Sequence, residues 1–184
     1  MHTNIDYAPP WTIQIPYCNI DLSTYTKDNT PSSLFFQYFY NIKNKYSSCQ
    51  LVYTDASKTP EFKTVGSAIV TEDSVLKFPL PKDYSIYSAE LFAISKAVQQ
   101  TLNRPEDVTV IFTDSLNAIQ GIQKIYQNHP ILEQIKKDLV TLQNNHKQLY
   151  IVWIPSHVGI RGNEIADQMA KEACKMERSD NRTN

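Results

Sequence analysis

Four carboxylates lie in or directly beside segments that are otherwise apolar: Asp55, Glu90, Asp114 and Asp167. Asp is depleted in β-strands, and a carboxylate that is buried without a partner costs free energy. If carboxylates converge, their repulsion raises each pKa unless a cation lies between them. A hard divalent ion with oxygen ligands resolves that repulsion, and Mg²⁺ is the usual choice where a phosphate completes its coordination. Two such ions roughly 4 Å apart can activate a water and stabilise the leaving oxygen of a phosphoryl displacement.

Each carboxylate also has an explanation that involves no chemistry. The pair Asp114-Ser115 could be the N-cap of a helix. Glu90 lies in the first turn of a predicted helix, where it could simply interact with the helix dipole, and Asp167 could be a solvated charge. Asp55 is harder to explain in this way because it stands inside a predicted strand. From spacing alone, convergence on a metal is therefore a hypothesis, and no Cys or His cluster suggests zinc instead.

The elements around these residues predict an α/β fold. Three β-prone segments, at residues 51–54, 65–70 and 75–80, predict an antiparallel meander. The pattern then alternates between helices and apolar strands: helix 84–103, strand 108–112, helices 115–126 and 131–144, strand 149–154 and helix 163–176. Such alternation requires right-handed crossovers and parallel pairing. We therefore expect a mixed five-stranded sheet with helices on both faces, and ligands near the carboxyl ends of its parallel strands.

The first 48 residues have a different texture from the rest. They are rich in Pro, Tyr, Asn and Thr, and they lack a clear periodicity except for a short aromatic helix predicted from Ser33 to about Tyr46. We interpret residues 1–48 as an extension or linker that packs loosely on a domain of residues 49–176. Residues 177–184 are interpreted as a polar tail.

Composition limits the classes of function. Hydrophobic residues make up 41% and charged residues 20%, which is typical of a globular domain and not of a disordered chain. We expect neither a membrane span nor a signal peptide. The three dispersed cysteines, Cys18, Cys49 and Cys174, form no metal-binding motif and favour a reducing compartment, the cytoplasm or the nucleus. A net charge of −1 does not favour nucleic-acid binding, so any such function must be argued from the site.

Five short motifs contain or adjoin the four carboxylates. They are residues 53–58 (Tyr-Thr-Asp-Ala-Ser-Lys), 88–91 (Ser-Ala-Glu-Leu), 112–115 (Phe-Thr-Asp-Ser), 153–159 (Trp-Ile-Pro-Ser-His-Val-Gly) and 162–167 (Gly-Asn-Glu-Ile-Ala-Asp). Together, and in this order, they resemble ribonuclease H type 1 over about residues 49–176. The amino acids of these motifs are most similar to those in the ribonuclease H domains of non-LTR retrotransposon polyproteins. The Pro-Pro-Trp and aromatic stretch before it resembles the linker that follows the reverse transcriptase there.

The resemblance implies an endonuclease that hydrolyses the RNA strand of RNA–DNA hybrids with two Mg²⁺ ions, for which Mn²⁺ can substitute. Asp55 would bridge both metals, and Glu90 would bind the second metal and meet a ribose 2′-OH. Asp114 would be a metal ligand, and Asp167 would hold the metal that carries the attacking water. His157 matches a histidine that assists proton movement or product release, although it could also be an ordinary loop histidine. Contacts to the 2′-OH would distinguish RNA from DNA.

Two departures from cellular members argue against strong independent affinity for a hybrid. No basic helix and loop lies between Gly121 and Gln148, and apolar and hydroxyl residues at 86–88 replace amides and a basic residue. A reverse transcriptase domain in a parent polyprotein would compensate by raising the effective concentration. The alternatives are a catalytically weak or decayed nucleic-acid-binding module derived from a retroelement, and another nuclease or integrase on the same fold. The complete set of four carboxylates with His157 favours the active enzyme.

Overall fold

The described part of the chain is built on a mixed sheet of six strands. The computed structural model describes residues 13–59, 64–124 and 128–176. Its strands are β1 (Tyr17–Asn19), β2 (Gln50–Thr59), β3 (Thr64–Val70), β4 (Val75–Leu80), β5 (Val108–Thr113) and β6 (Gln148–Trp153). Their spatial order is β1-β6-β5-β2-β3-β4. The β2–β3 and β3–β4 pairs are antiparallel, whereas β2–β5, β5–β6 and β1–β6 are parallel.

Five helices cover the two faces of this sheet: α1 (Ser32–Lys45), α2 (Ile86–Asn103), α3 (Leu116–Gln123), α4 (Pro130–Asn144) and α5 (Arg161–Ala173). Strand β5 shows how the faces divide, because successive side chains of a strand point to opposite sides. Ile111 packs with α2, α3 and α4, whereas Val110 and Phe112 pack with α1. Helix α5 packs on β2 and β3. In the described part of the chain, no helix combines the length and the apolar character that a membrane span requires.

The predicted α/β class and the mixed sheet are confirmed, but the predicted number of strands is wrong. The sixth strand is β1, which pairs in parallel with β6 through Tyr17 and Tyr150. It escaped the sequence analysis because a strand of three residues is too short to show a period of two. The predicted helix 115–126 ends at Gln123 in the structure, and its last two residues lie outside the described part.

The expected loose packing of the N-terminal segment is also wrong where the structure describes it, at residues 13–48. Leu22, Phe35 and Phe39 are buried in the same cluster as Val110 and Phe112. The ring of Phe39 meets that of Phe112 edge-on at a centroid distance of 5.4 Å. These side chains pack closely because α1 covers one face of β5 and β6, which would otherwise be exposed. The domain boundary at residue 48 stays a prediction, and the predicted tail at 177–184 lies outside the described residues.

Helix α5 approaches the sheet closely at Gly66 in β3. A Cβ atom at this position would lie 2.6 Å from the carbonyl oxygen of Ala170 and 2.7 Å from the amide nitrogen of Cys174. Both contacts are with backbone, which cannot rotate away as the end of a long side chain can. A glycine within a strand often marks such a close backbone approach, and here the partner is the helix that carries Asp167.

We expect Gly66→Ala to destabilise the protein by roughly 1–3 kcal/mol, the usual cost of overpacking a core. The added methyl group must displace α5 from the sheet. Chemical denaturation measures the change in the free energy of unfolding. Val75→Ala, on the exposed start of β4, is the matched control and should change stability little. If Gly66→Ala is as stable as the Val75→Ala control, α5 moves away from the sheet without cost in free energy.

Candidate active site

Three carboxylates converge beside the centre of the sheet. Asp55 lies in β2, Glu90 in α2 and Asp114 directly after β5, and one oxygen of each lies within 4.8 Å of one from each of the others. The sheet register explains why Asp55 lies near Asp114, because Thr54 of β2 pairs with Thr113 of β5. Asp55 and Asp114 each directly follow one of these paired residues, so they lie at the same level of the sheet.

Helix α2 brings the third carboxylate to the sheet. The Ser85 side chain caps its N-terminus by accepting a hydrogen bond from the Ser88 amide at 3.0 Å. Ser67 of β3 donates its hydroxyl to the Ala89 carbonyl at 2.8 Å, which ties α2 to the sheet one residue before Glu90. Glu90 belongs to the second turn of α2, so its predicted place in the first turn is wrong. An interaction with the helix dipole, which fades beyond the first turn, therefore does not explain this buried side chain.

Burial and mutual repulsion disfavour the charged forms of all three carboxylates. Burial, followed by the charge of Asp114, raises the pKa of Asp55 to about 8. Burial, followed by the charges of Asp55 and Asp114, raises the pKa of Glu90 well above its usual value. Burial also raises the pKa of Asp114, although the hydrogen bond from Asn163 opposes this shift. Without a cation, the protein therefore favours the protonated, neutral forms of these carboxylates.

The donor set fits a hard divalent cation. The cluster offers only carboxylate oxygens, which are the ligands that Mg²⁺ prefers. Within the described residues, Glu90 Oε2 is buried and has no hydrogen-bond partner. A buried polar atom without a partner is costly and needs an explanation. A cation held between Asp55, Glu90 and Asp114 would satisfy this oxygen and remove the repulsion at the same time.

Asp114 is held by two side chains that the sequence analysis did not single out. Trp153 Nε1 donates to the backbone carbonyl of Asp114 at 3.0 Å, and Asn163 Nδ2 donates to its Oδ2 at 3.1 Å. The carboxylate does not cap α3, because Ser115 Oγ accepts the capping hydrogen bond from the Ala118 amide. The signal for Asn163 was available, since it is a polar residue at the start of the predicted apolar face of α5.

The fourth predicted carboxylate, Asp167, lies beside the cluster and not among the three converging groups. Its Oδ2 accepts a hydrogen bond from Lys171 Nζ at 2.6 Å, one turn further along α5. Its charge nevertheless contributes to the raised pKa of both Asp55 and Asp114. Lys171 was missed by the sequence analysis, although its spacing of four residues from Asp167 is typical of an ion pair on a helix.

His157 projects from the loop between β6 and α5. It is exposed and has a positive φ of 54°, while Gly159 in the same loop has a φ of 85°. The Gly159 amide donates to Glu164 Oε1 at 3.1 Å, which ties the loop to the first turn of α5. The charge of His157 lowers the pKa of Asp114, opposing the effect of burial.

A family model described as RNase H matches residues 48–175, which is more than half of the chain. The chain belongs to the RNase H family. Ribonuclease H1 of Homo sapiens is 30% identical over 109 residues, an alignment that covers 52% of this chain and 37% of the human protein. Ribonuclease H1 of Mus musculus is also 30% identical over 109 residues, covering 52% of this chain and 38% of the mouse protein. The match thus spans less than two fifths of the length of these curated relatives.

The RNase H region contains all five residues that the sequence analysis singled out, Asp55, Glu90, Asp114, His157 and Asp167. The structure brings the first three together and places the other two at the edge of the cluster. Their individual roles stay predictions. Strand β1 and helix α1 precede the matched region, so their packing on β5 and β6 is a feature of this chain that the RNase H match does not include.

Proposed function

We propose that this chain is a metal-dependent endonuclease that hydrolyses the RNA strand of RNA–DNA hybrids by a two-metal mechanism. The observation that carries the proposal is the convergence of Asp55, Glu90 and Asp114 around an unpartnered, buried Glu90 oxygen, in a chain of the RNase H family. Such a cluster costs stability in the protein alone, and its arrangement is explained if it holds divalent cations. The proposal also agrees with what the names of the two ribonuclease H1 relatives imply.

The residues of the site would have different roles in this reaction. Asp55, Glu90 and Asp114 would hold one Mg²⁺ or Mn²⁺ ion, and Asp167 beside them would contribute to a second. When bound, such ions stabilise charge on phosphoryl oxygens and lower the pKa of a water. Asn163 and Trp153 keep Asp114 in place through the hydrogen bonds described above. His157, exposed beside Asp114, can exchange protons with solvent near the reacting phosphate or assist release of the product.

A cavity beside the cluster supplies a place for the substrate. It has a volume of about 350 Å³, and Tyr87, Glu90, Asp114, Ser115 and Asn117 are among the residues that line it. Hydroxyl, amide and carboxylate groups in this wall suit a ribose, whose 2′-OH both donates and accepts hydrogen bonds. We infer that Glu90 recognises the 2′-OH of the RNA strand from this wall, which would make cleavage specific for RNA.

A second candidate is a catalytically weak or decayed nucleic-acid-binding module derived from a retroelement. The ion pair between Asp167 and Lys171 favours it, because this 2.6 Å contact occupies one oxygen of a predicted metal ligand. The net charge of −1 does not separate the two candidates, since both bind nucleic acid and a strong duplex binder is usually basic. A reverse transcriptase domain in a parent polyprotein would then supply the affinity that the chain lacks. We place either form in the cytoplasm or the nucleus.

The deciding experiment uses the full chain with end-labelled RNA–DNA hybrid, duplex RNA and duplex DNA in Mg²⁺, Mn²⁺ or EDTA. The proposal expects cutting of the RNA strand of the hybrid alone, lost in EDTA and in Asp114→Asn. Binding of the hybrid without cutting in either metal, by protein that circular dichroism shows to be folded, would favour the decayed module. Cutting of duplex DNA would instead indicate another nuclease on the same fold.

A further inference from the structure

A lysine from outside the RNase H region contacts the loop between β6 and α5, which carries His157. Lys27 Nζ donates to Ser156 Oγ at 2.8 Å, and Ser156 directly precedes His157. Lys27 lies in the segment between a 3₁₀ turn at Asp21–Thr24 and helix α1. It precedes the matched residues 48–175 by 21 positions. The contact therefore joins two parts of the chain that are 129 residues apart.

The segment around Lys27 is anchored on both sides. Leu22 before it and Phe35 after it are each almost fully buried, with 2% and 1% of their surface exposed. The ring of Tyr25 stacks on that of Tyr38 in α1 at a centroid distance of 4.9 Å, and this contact holds the loop before α1 against the helix. The polypeptide on either side of Lys27 is thus held against the domain.

The loop that carries His157 rests on the same segment. A Cβ atom at Gly159 would lie 2.8 Å from Cζ of Phe36, so the ring of Phe36 packs directly against the loop backbone. Val158 is buried in the cluster that contains Leu22 and Phe35. The first two turns of α1 and the loop at residues 156–159 therefore form one packed unit, and Lys27 contacts this loop at Ser156.

The charge of the Lys27 ammonium group also acts on the carboxylate cluster. Its charge lowers the pKa of Asp114, opposing the larger effect of burial, as the charge of His157 does. Lys171, by contrast, is paired with Asp167. In the part of the chain that the structure describes, the ammonium of Lys27 is bonded to a hydroxyl and not paired with a carboxylate, so its charge remains available to an anion.

We propose that Lys27 binds a backbone phosphate of the nucleic acid beside the carboxylate cluster, releasing Ser156 when it does so. The inference rests on the proposed function, because it names a further contact to the same substrate. A polyanion that approaches four carboxylates is repelled by them, and a lysine at the rim offsets that repulsion. An ammonium on a flexible stem suits this task, since it contacts phosphate as a point charge without a fixed geometry.

The salt dependence of binding tests the proposal directly. Each phosphate contact by a lysine releases a counterion, so log K falls less steeply with log[salt] when the contact is removed. Binding of a fluorescent hybrid is measured by anisotropy at several salt concentrations in an Asp55→Asn background, which prevents cutting. We expect Lys27→Gln to weaken binding on the order of threefold to tenfold near 0.1 M salt, and to reduce the slope by about one.

Three further variants isolate the charge from its surroundings. Lys27→Arg keeps the charge and should keep the slope. Ser156→Ala removes the hydroxyl partner and should also keep the slope, because the ammonium remains. Lys45→Gln removes one exposed lysine of the same segment and is the matched control. Lys45 lies nine residues beyond Phe36 on α1, or about 13 Å further along the helix axis, where the next residue, Tyr46, packs on Tyr150.

Kinetics on the otherwise unchanged chain complete the test. Lys27→Gln should raise KM for the hybrid more than it lowers kcat. An unchanged salt slope in Lys27→Gln would overturn the proposal even if activity fell, because the lysine would then only support the loop at Ser156. If the unmodified chain binds the hybrid without cutting it, the proposed function fails, whereas the slope still decides the role of Lys27. A slope for Lys45→Gln as low as that for Lys27→Gln would also overturn the assignment.

Discussion

Asp55→Asn is expected to abolish most of the cleavage of the hybrid and, at the same time, to stabilise the metal-free protein at pH 8. Asp55 is one of the three converging carboxylates, and burial, followed by the charge of Asp114, raises its pKa to about 8. The amide that replaces it keeps the shape of the side chain but cannot balance a divalent cation. We expect the rate to fall by at least about 10²–10³-fold, the usual loss when a group that stabilises transition-state charge is removed.

The gain in stability follows from the direction of the shift. The folded-state pKa of about 8 exceeds the ordinary value of 3.8, so between these values the folded protein holds a proton that the unfolded chain has lost. The stability of the metal-free protein therefore falls as the pH rises through this window. Each pH unit corresponds to about 1.4 kcal/mol, so the loss amounts to several kcal/mol at pH 8. Asn cannot ionise, and the variant should escape this part of the loss.

Thermal unfolding in EDTA at pH 5 and pH 8 measures the effect. Unmodified protein should melt at a lower temperature at pH 8 than at pH 5, and Asp55→Asn should lose less over the same interval. Mg²⁺ at pH 8 should raise the melting temperature of the unmodified protein but not that of the variant. Asp107→Asn is the control, because it removes an exposed carboxylate just before β5. A variant that melts below the unmodified protein at pH 8 in EDTA would contradict the electrostatic description of the site.

Phe39→Ala is expected to destabilise the protein by about 3–5 kcal/mol, although Phe39 precedes the RNase H region. Its side chain is 3% exposed and meets the ring of Phe112, two residues before Asp114. Truncation leaves a cavity between α1 and the sheet that neighbouring side chains fill only in part. In a chain of this size, that loss corresponds to a fall of roughly 10 °C in melting temperature.

Tyr40→Ala is the matched control for Phe39→Ala. Tyr40 is the next residue of α1 and is 51% exposed, so its removal should cost less than about 1 kcal/mol. Chemical denaturation of both variants gives the comparison. Equal costs would mean that α1 does not belong to the core, which would restore the description of residues 1–48 as a loosely packed extension.

Much of the fold and of the site follows from local sequence patterns. The meander, the long helix at α2 and the apolar runs of β5 and β6 each carry a periodicity that one element determines by itself. The four carboxylates stood out because each lies in an apolar context, where an acidic residue needs a reason. Regular alternation after the meander also predicts right-handed crossovers and parallel pairing. Which strand β5 pairs with does not follow from that alternation, and it is the pairing of β5 with β2 in the structure that brings Asp55 and Asp114 together.

Only the tertiary structure decided the features that depend on long-range packing. Strand β1 forms because the edge of β6 is open to it, and three residues in isolation would not pair. Phe39 is buried because Phe112 lies beneath it. Lys27 contacts Ser156, which is 129 residues away in the sequence, and no local sequence pattern predicts this contact. Periodicity reports which face of an element is buried, but it does not report which distant segment covers that face. The carboxylates of this active site were therefore visible in the sequence, whereas the segment that supports its rim was not.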